Sequence, residues 1–111
     1  MNDDYSMTSL EWLRKSYESN LEKFDYADYE DEIYLDILVF KKESRGQGLG
    51  TMFMTDLCKH ADKHKKIISL VPSNNLGTSI EVLEKFYEKF HFKYGNYSFD
   101  YHLMIRKNKK T

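Results

Sequence analysis

Apolar positions recur along this chain in two rhythms, one of helix and one of strand. Leu10, Leu13, Tyr17, Leu21 and Phe24 fall three or four residues apart. That spacing makes one face of an amphipathic helix over about 8–24. Thr8 and Glu11 stand at capping-box spacing before it, and Trp12 sits beside the stripe. Ile33 to Phe40 (IYLDILVF) is nearly continuous in apolar character and rich in β-branched and aromatic residues, which predicts a strand buried on both faces. Asp36 interrupts it, and an acid there must lie at a solvent edge or find a partner.

The next periodic run has Leu49, Phe53 and Leu57 on one stripe and Met54, Cys58 and Ala61 on its neighbour. It predicts a helix over 49–64 whose C-terminus runs into the basic turn Lys63, His64, Lys65 and Lys66. Ile67 to Val71 reads as a second short buried strand, stopped by Pro72. Strand, helix and strand in such short order form a βαβ unit, with parallel strands and a right-handed crossover. Thr78 and Glu81 again have capping-box spacing, and Ile80, Leu83, Tyr87 and Phe90 give the buried stripe of a helix over about 79–90. A turn at Gly95-Asn96 and strand-like spacing from Tyr97 to Ile105 complete the pattern. Residues 1–7 and 107–111 are expected to fray.

At 111 residues, with 41% apolar and 32% charged, the chain reads as one soluble globular domain, 1–111. A formal net charge of -1 gives no global attraction to nucleic acid or to an anionic membrane. No apolar run has the length of a membrane span, and the acidic start (Asp3, Asp4) lacks the layout of a signal peptide. Cys58 is the only cysteine, so disulfides are excluded and a cytoplasmic location is the simplest expectation. Asp25 to Glu32 (DYADYEDE) reads first as a solvated connector and, more sharply, as an acidic lip for a cationic substrate.

The stretch most charged with chemistry is Arg45-Gly46-Gln47-Gly48-Leu49-Gly50, between the strand and the first long helix. Three glycines in six residues let the backbone turn tightly, and the following helix offers its N-terminal N–H groups to an anion. Arg45 adds a phosphate-matching donor. A Walker A loop is excluded because no Lys-Ser/Thr pair closes it, and the glycine spacing is not that of the dinucleotide fingerprint. Taken alone, the stretch equally describes a tight turn with no ligand. His60 and His64, spaced i, i+4 with Asp56 on the same face, lack the glutamate of HExxH and read as a solvated helix face, so no metal site is expected. Cys58 reads as a buried, inert thiol.

Leu38 to Gly50 (LVFKKESRGQGLG) resembles motif A of the GNAT superfamily of acetyl-CoA-dependent N-acetyltransferases, Arg/Gln-x-x-Gly-x-Gly/Ala after a strand, here on Arg45, Gly48 and Gly50. Leu83 to Phe92 resembles motif B, with Tyr87 and Phe92 matching and His91 in place of the usual Gly. Ala61-Asp62, Pro72-Ser73, Gly77-Thr78-Ser79, Phe86-Tyr87 and Met104-Ile105-Arg106 follow the order of short, phage-type members. The resemblance covers about residues 33–107. It implies an α+β, three-layer αβα fold: a mixed, mostly antiparallel sheet with a splayed central parallel pair and a shortened N-terminal part, its first strands missing or irregular.

It further implies acetyl transfer to an amine acceptor, whether a small amine, a lysine or a protein N-terminus. The acetyl-CoA pyrophosphate would rest on Arg45, Gly46, Gln47, Gly48, Leu49, Gly50 and Thr51, and the pantetheine arm along Leu38, Val39 and Phe40. Tyr87 takes the place of the proton donor to the leaving thiolate, although helical spacing alone would make it core. The general base stays open among Asp36, Glu43, Glu32 and a water held by one of them. His91 reads as a strained C-cap. An exposed sheet edge in the short N-terminal half leaves room for a homodimer. The alternative is an inactive protein on the same fold that binds CoA, a partner protein, or both.

Overall fold

The computed structural model describes residues 10–73, 78–95 and 103–108. Their elements run α1 (Glu11–Ser16), β1 (Leu21–Asp28), β2 (Glu32–Phe40), a short 3₁₀ turn (Lys42–Ser44), α2 (Leu49–Lys63), β3 (Ile67–Leu70), α3 (Ile80–Glu88), β4 (Lys93–Tyr94) and β5 (Met104–Arg106). The described strands form one mixed sheet in the order β1-β2-β3-β5-β4. Only β2 and β3 run parallel; β1–β2, β3–β5 and β4–β5 are antiparallel. This is the expected α+β architecture with a central parallel pair.

The N-terminal third departs from the predicted helix over 8–24. The helix stops at Ser16, and a strand starts at Leu21. The cause lies in the register of β1 on β2. Leu21 faces Phe40 and Phe24 faces Leu38, but Lys23 faces Val39, so β1 carries an extra residue at this point. A β-bulge puts residues three apart on one face of a strand and so imitates a helical period. The strand also takes in half of the acidic segment, Asp25 to Asp28, which is therefore not a connector. Thr8, the Asn96 half of the predicted turn, most of the run from Tyr97 and the predicted frayed residues 1–7 lie outside the described residues.

Phe53 of α2 is the centre of the core. It is fully buried, with Tyr17 and Phe24 edge-on at 5.1 Å and Phe40 at 5.9 Å. Truncating such a ring costs about 3–5 kcal/mol. Six residues cannot sustain a helix alone. α1 is held by buried Leu13 and by Arg14, whose Nη1 donates to the Phe24 carbonyl at 2.7 Å. Along β2 Ile33, Leu35 and Val39 are buried, Tyr34, Ile37, Leu38 and Phe40 half-buried and Asp36 exposed; Leu38 and Phe40 pack against the core with Ile33 and Leu35, whereas Val39 is buried outside that cluster.

Polar ties fix the sheet at both ends. Lys66 Nζ meets Asp28 at 2.5 Å, and Ser69 Oγ donates to Glu32 at 2.6 Å, which joins β3 to the β1–β2 hairpin. On the far side, buried Arg106 forks onto Asp62 at 2.9 and 3.0 Å, and its Nε donates to the Phe90 carbonyl at 2.9 Å. One side chain of β5 thus holds the end of α2 and the end of the α3 segment. Removing one partner of a buried, bidentate pair leaves the other uncompensated. Arg106→Ala is expected to lower unfolding free energy by about 3 kcal/mol in urea titrations; a loss within about 0.5 kcal/mol, as for ordinary surface positions, would show that the tie is dispensable.

Candidate active site: a cleft between parting strands

β2 and β3 pair over only four residues, from Glu32 with Ile67 to Leu35 with Leu70. Beyond them β2 continues to Phe40, whereas β3 ends at Leu70, two residues before Pro72. At the same place the pairing of β2 with β1 steps from Leu35 directly to Ile37 and skips Asp36. Between the parted strands lies a cleft of about 360 Å³. Its β2 wall is Leu35 to Val39, its β3 wall Leu70 and Val71, and α3 closes it with Leu83 and Tyr87. α3 has no fully buried residue, so its predicted buried stripe is a half-buried one that faces this space.

The glycine loop stands beside the cleft. Gly46 and Gly48 both adopt φ of +78°, where side chains other than glycine are strained, and a Cβ on either would meet nothing within 4 Å. Gly48 is the N-cap of α2, and the Met52 N–H is the first to reach back, to the Gly48 carbonyl at 3.1 Å. The earlier N–H groups of Leu49, Gly50 and Thr51 therefore point out of the helix end. Gly50 is helical, and a Cβ there would make ordinary contact with Phe86 at 3.6 Å, so only two of the three glycines serve the turn. Arg45 Nε donates to the Phe40 carbonyl at 3.0 Å, and Gln47 to the Glu43 carbonyl at 3.1 Å; these bonds shape the loop from within. Asn20 fastens its base, accepting from Lys41 N–H at 2.8 Å and donating to Ser44 Oγ at 3.0 Å.

Of the residues expected at the site, Leu38, Val39 and Tyr87 line the cleft. Phe40 does not: its ring packs on Tyr17 and Phe53. Arg45 to Thr51 form the adjoining loop surface, with Phe86 of α3 against Gly50. Tyr87 packs edge-on against Phe92 at 5.6 Å, and burial raises the pKa of its phenol above the ordinary value. Among the candidate bases Asp36 is in the cleft; Glu32 is bonded to Ser69, and Glu43 sits in the exposed 3₁₀ turn. Glu22 and Lys23 also line the cleft. They were hidden because β1 read as helix; alternation along Phe24 to Asp28 was the signal. The acidic segment divides: Asp25 borders an adjoining hollow with Asp36, whereas Asp28 and Glu32 serve the hairpin at the other end of β2.

His60 is buried rather than part of a solvated face, packed between Trp12 at 5.8 Å and His64 at 4.4 Å. Among the described residues no group of three metal-ligating side chains converges. Cys58 is buried, and burial pushes its thiol up to about 11, so it is protonated and inert at neutral pH. No described helix is long and apolar enough to cross a membrane.

The structure thus presents a parallel pair whose ladder ends beside a glycine-rich helix start, and the comparisons give the family. Residues 10–92 match the acetyltransferase (GNAT) family, to which the chain belongs. It is 36% identical over 70 residues to a protein of Bacillus subtilis (strain 168) described as "Putative acetyltransferase YjbC". That match takes in 62% of this chain and 35% of the relative, so the chain spans well under half of the relative's length. In three dimensions it is similar to the anti-CRISPR protein AcrVA5, with a TM-score of 0.63 and 25% identity over 78% of this chain and 90% of that one. It also shares its fold with Ard1 from Thermoplasma volcanium, with a TM-score of 0.56 and 14% identity over 91% and 78% of the two chains.

His91, where the family pattern has glycine, adopts φ of +75° after α3. A left-handed conformation costs a non-glycine residue about 1–2 kcal/mol, part of which glycine returns through its looser unfolded chain. His91→Gly is expected to raise unfolding free energy by up to about 1 kcal/mol, read from thermal or urea unfolding. A loss of stability instead would show that the imidazole makes a contact worth more than the strain.

Proposed function

We propose that this chain transfers the acetyl group of acetyl-CoA to an amine, and that the amine is cationic before it reacts. The observation that carries the reading is the parting of β2 from β3 with Tyr87 on the opposite wall. Acetyl-CoA supplies an activated acyl thioester. The outward N–H groups of Leu49, Gly50 and Thr51 and the exposed Arg45 suit its pyrophosphate. The edge of β2 at Leu38 and Val39, which no β3 residue pairs, suits an extended amide-bearing arm laid down like an added strand.

In the chemical step the amine nitrogen bonds to the acyl carbon, and the carbon–sulfur bond breaks. A backbone N–H on the open edge of β2 stabilises the oxyanion. Asp36 or Glu22, directly or through water, takes the ammonium proton that frees the nitrogen lone pair, and the second proton, lost as the amide forms, replaces the one that Tyr87 gives up. Tyr87 donates its phenolic proton to the departing thiolate. Its raised pKa keeps that proton in place at neutral pH. Glu22 and Asp36 against Lys23 leave the cleft with an excess of one negative charge, which favours a positively charged acceptor; Asp25, in the adjoining hollow, stands opposite Arg14. His91 in the place of the family's glycine favours a second reading, an inactive protein on the same fold that binds CoA, a partner protein, or both.

Acetyl-CoA is expected to raise the melting temperature and to be consumed with a polyamine or a lysine peptide. Tyr87→Phe should lower turnover by about 100-fold while the acetyl-CoA-induced stabilisation survives. No stabilisation by acetyl-CoA and no turnover across an amine panel would sink the enzyme reading; stabilisation without turnover would favour the second.

The pH profile gives an independent check. Tyr87 works in its protonated form, and burial holds its pKa above the ordinary value of about 10. The rate should therefore climb as the acceptor amine deprotonates, with no falling limb below about pH 10. A fall between about pH 8 and 9.5 in protein that remains folded would rule Tyr87 out as the acid.

A further inference from the structure

A second concave surface lies between α1 and α2 and shares no residue with the cleft. It measures about 660 Å³. Its floor is aromatic: Trp12, 38% exposed, leans on buried His60, and His64 continues the row. Lys15 of α1 and Lys59 and Lys63 of α2, all exposed, stand around it. Lysine stems cover apolar surface while their ammonium groups reach water.

The charges in this groove are unevenly engaged. Its two acids already have partners. Glu11 accepts from Tyr26 at 2.6 Å and from Arg14 at 2.9 Å, and Asp56 accepts from Tyr17 at 2.8 Å. The Tyr26 and Arg14 hydrogen bonds hold the Glu11 carboxyl below its ordinary pKa. Among the described residues none of the three lysines makes an ion pair. The groove therefore presents an apolar floor beneath three uncommitted cations.

We infer that this groove receives an acidic segment of a protein partner, with one leucine or phenylalanine of that segment seated on Trp12. Charge complementarity selects acids for the rim, and the exposed indole face selects an apolar side chain for the floor. A nucleic-acid strand fits less well. Its phosphates recur at a fixed spacing and would run past Glu11 and Asp56 in the same groove, whereas a peptide can set its acids at the lysines and an apolar residue between them. The assignment is independent of what occupies the cleft.

Trp12 is the only tryptophan in the chain, so its fluorescence reports on this groove alone. A short peptide of glutamate and leucine should shift that emission saturably. Binding should weaken at least about tenfold in a Lys59→Glu, Lys63→Glu variant whose circular dichroism is unchanged, and likewise in Lys15→Glu, which lies on the other helix. A lysine–leucine peptide of equal length should give no such shift. The inference is overturned if the acidic peptide gives no saturable change, if both peptides bind alike, if neither charge reversal weakens binding, or if a single-stranded oligonucleotide binds more tightly.

Discussion

At Asp36 the pairing of β2 changes on both sides at once. Toward β1 the register steps over it, and toward β3 the ladder has ended one residue earlier at Leu35. A register step bends a strand and adds to its twist. The last five residues of β2 have no β3 residue paired with them, which leaves the backbone groups on that side with no strand beside them. Open strand edges are a hazard in most proteins. Here α3 stands over the gap without pairing to it, so the edge is sheltered and yet reachable. The loop depends on the same geometry, because the carbonyl that ends β2, that of Phe40, is held by Arg45.

The opposite wall of the cleft is kept in place by few contacts of high directionality. α3 buries no residue completely, so the hydrophobic effect alone would position it poorly. Its C-terminal segment is fixed by Arg106 on the Phe90 carbonyl and by Phe92, which is 1% exposed. Since Arg106 also forks onto Asp62, the far end of the helix that begins at the glycine loop, one guanidinium relates the two walls. A fork with fixed donors sets orientation as well as distance, which an ammonium would not.

The central β2–α2–β3 unit was legible because each element is buried enough to leave a clean period in the sequence. Helix α3 buries no residue completely but was legible because its half-buried side keeps a helical period; its cap is Ser79, which accepts from the Val82 N–H at 3.3 Å, rather than Thr78 one position earlier. β1 was not legible: its bulge sets Leu21 and Phe24 three apart on one face, in phase with Tyr17 of the preceding helix. The acidic segment misled for a related reason. Composition reported five acids in eight residues, but register decides that Asp25 borders the cleft region while Asp28 and Glu32 pair elsewhere. His60 looked solvated because helical spacing alone cannot show that Trp12, from another element, covers it.

A net charge of -1 conceals two local fields of opposite sign. Glu22, Asp25 and Asp36 outnumber Lys23 and Arg14 where β1 and β2 meet the cleft, and Lys15, Lys59 and Lys63 outnumber Glu11 and Asp56 around the α1–α2 groove. At physiological ionic strength fields between exposed charges fade over about 8 Å. Each cluster therefore acts on what lies next to it, and neither is cancelled by the other. Under the two proposals, a cationic amine in the cleft and an acidic segment on the groove would place opposite demands on a ligand. A protein with a lysine beyond an acidic stretch would meet both, whereas a small amine would meet only the first. On those proposals the surface charge bears on the size of the acceptor as well as on its sign.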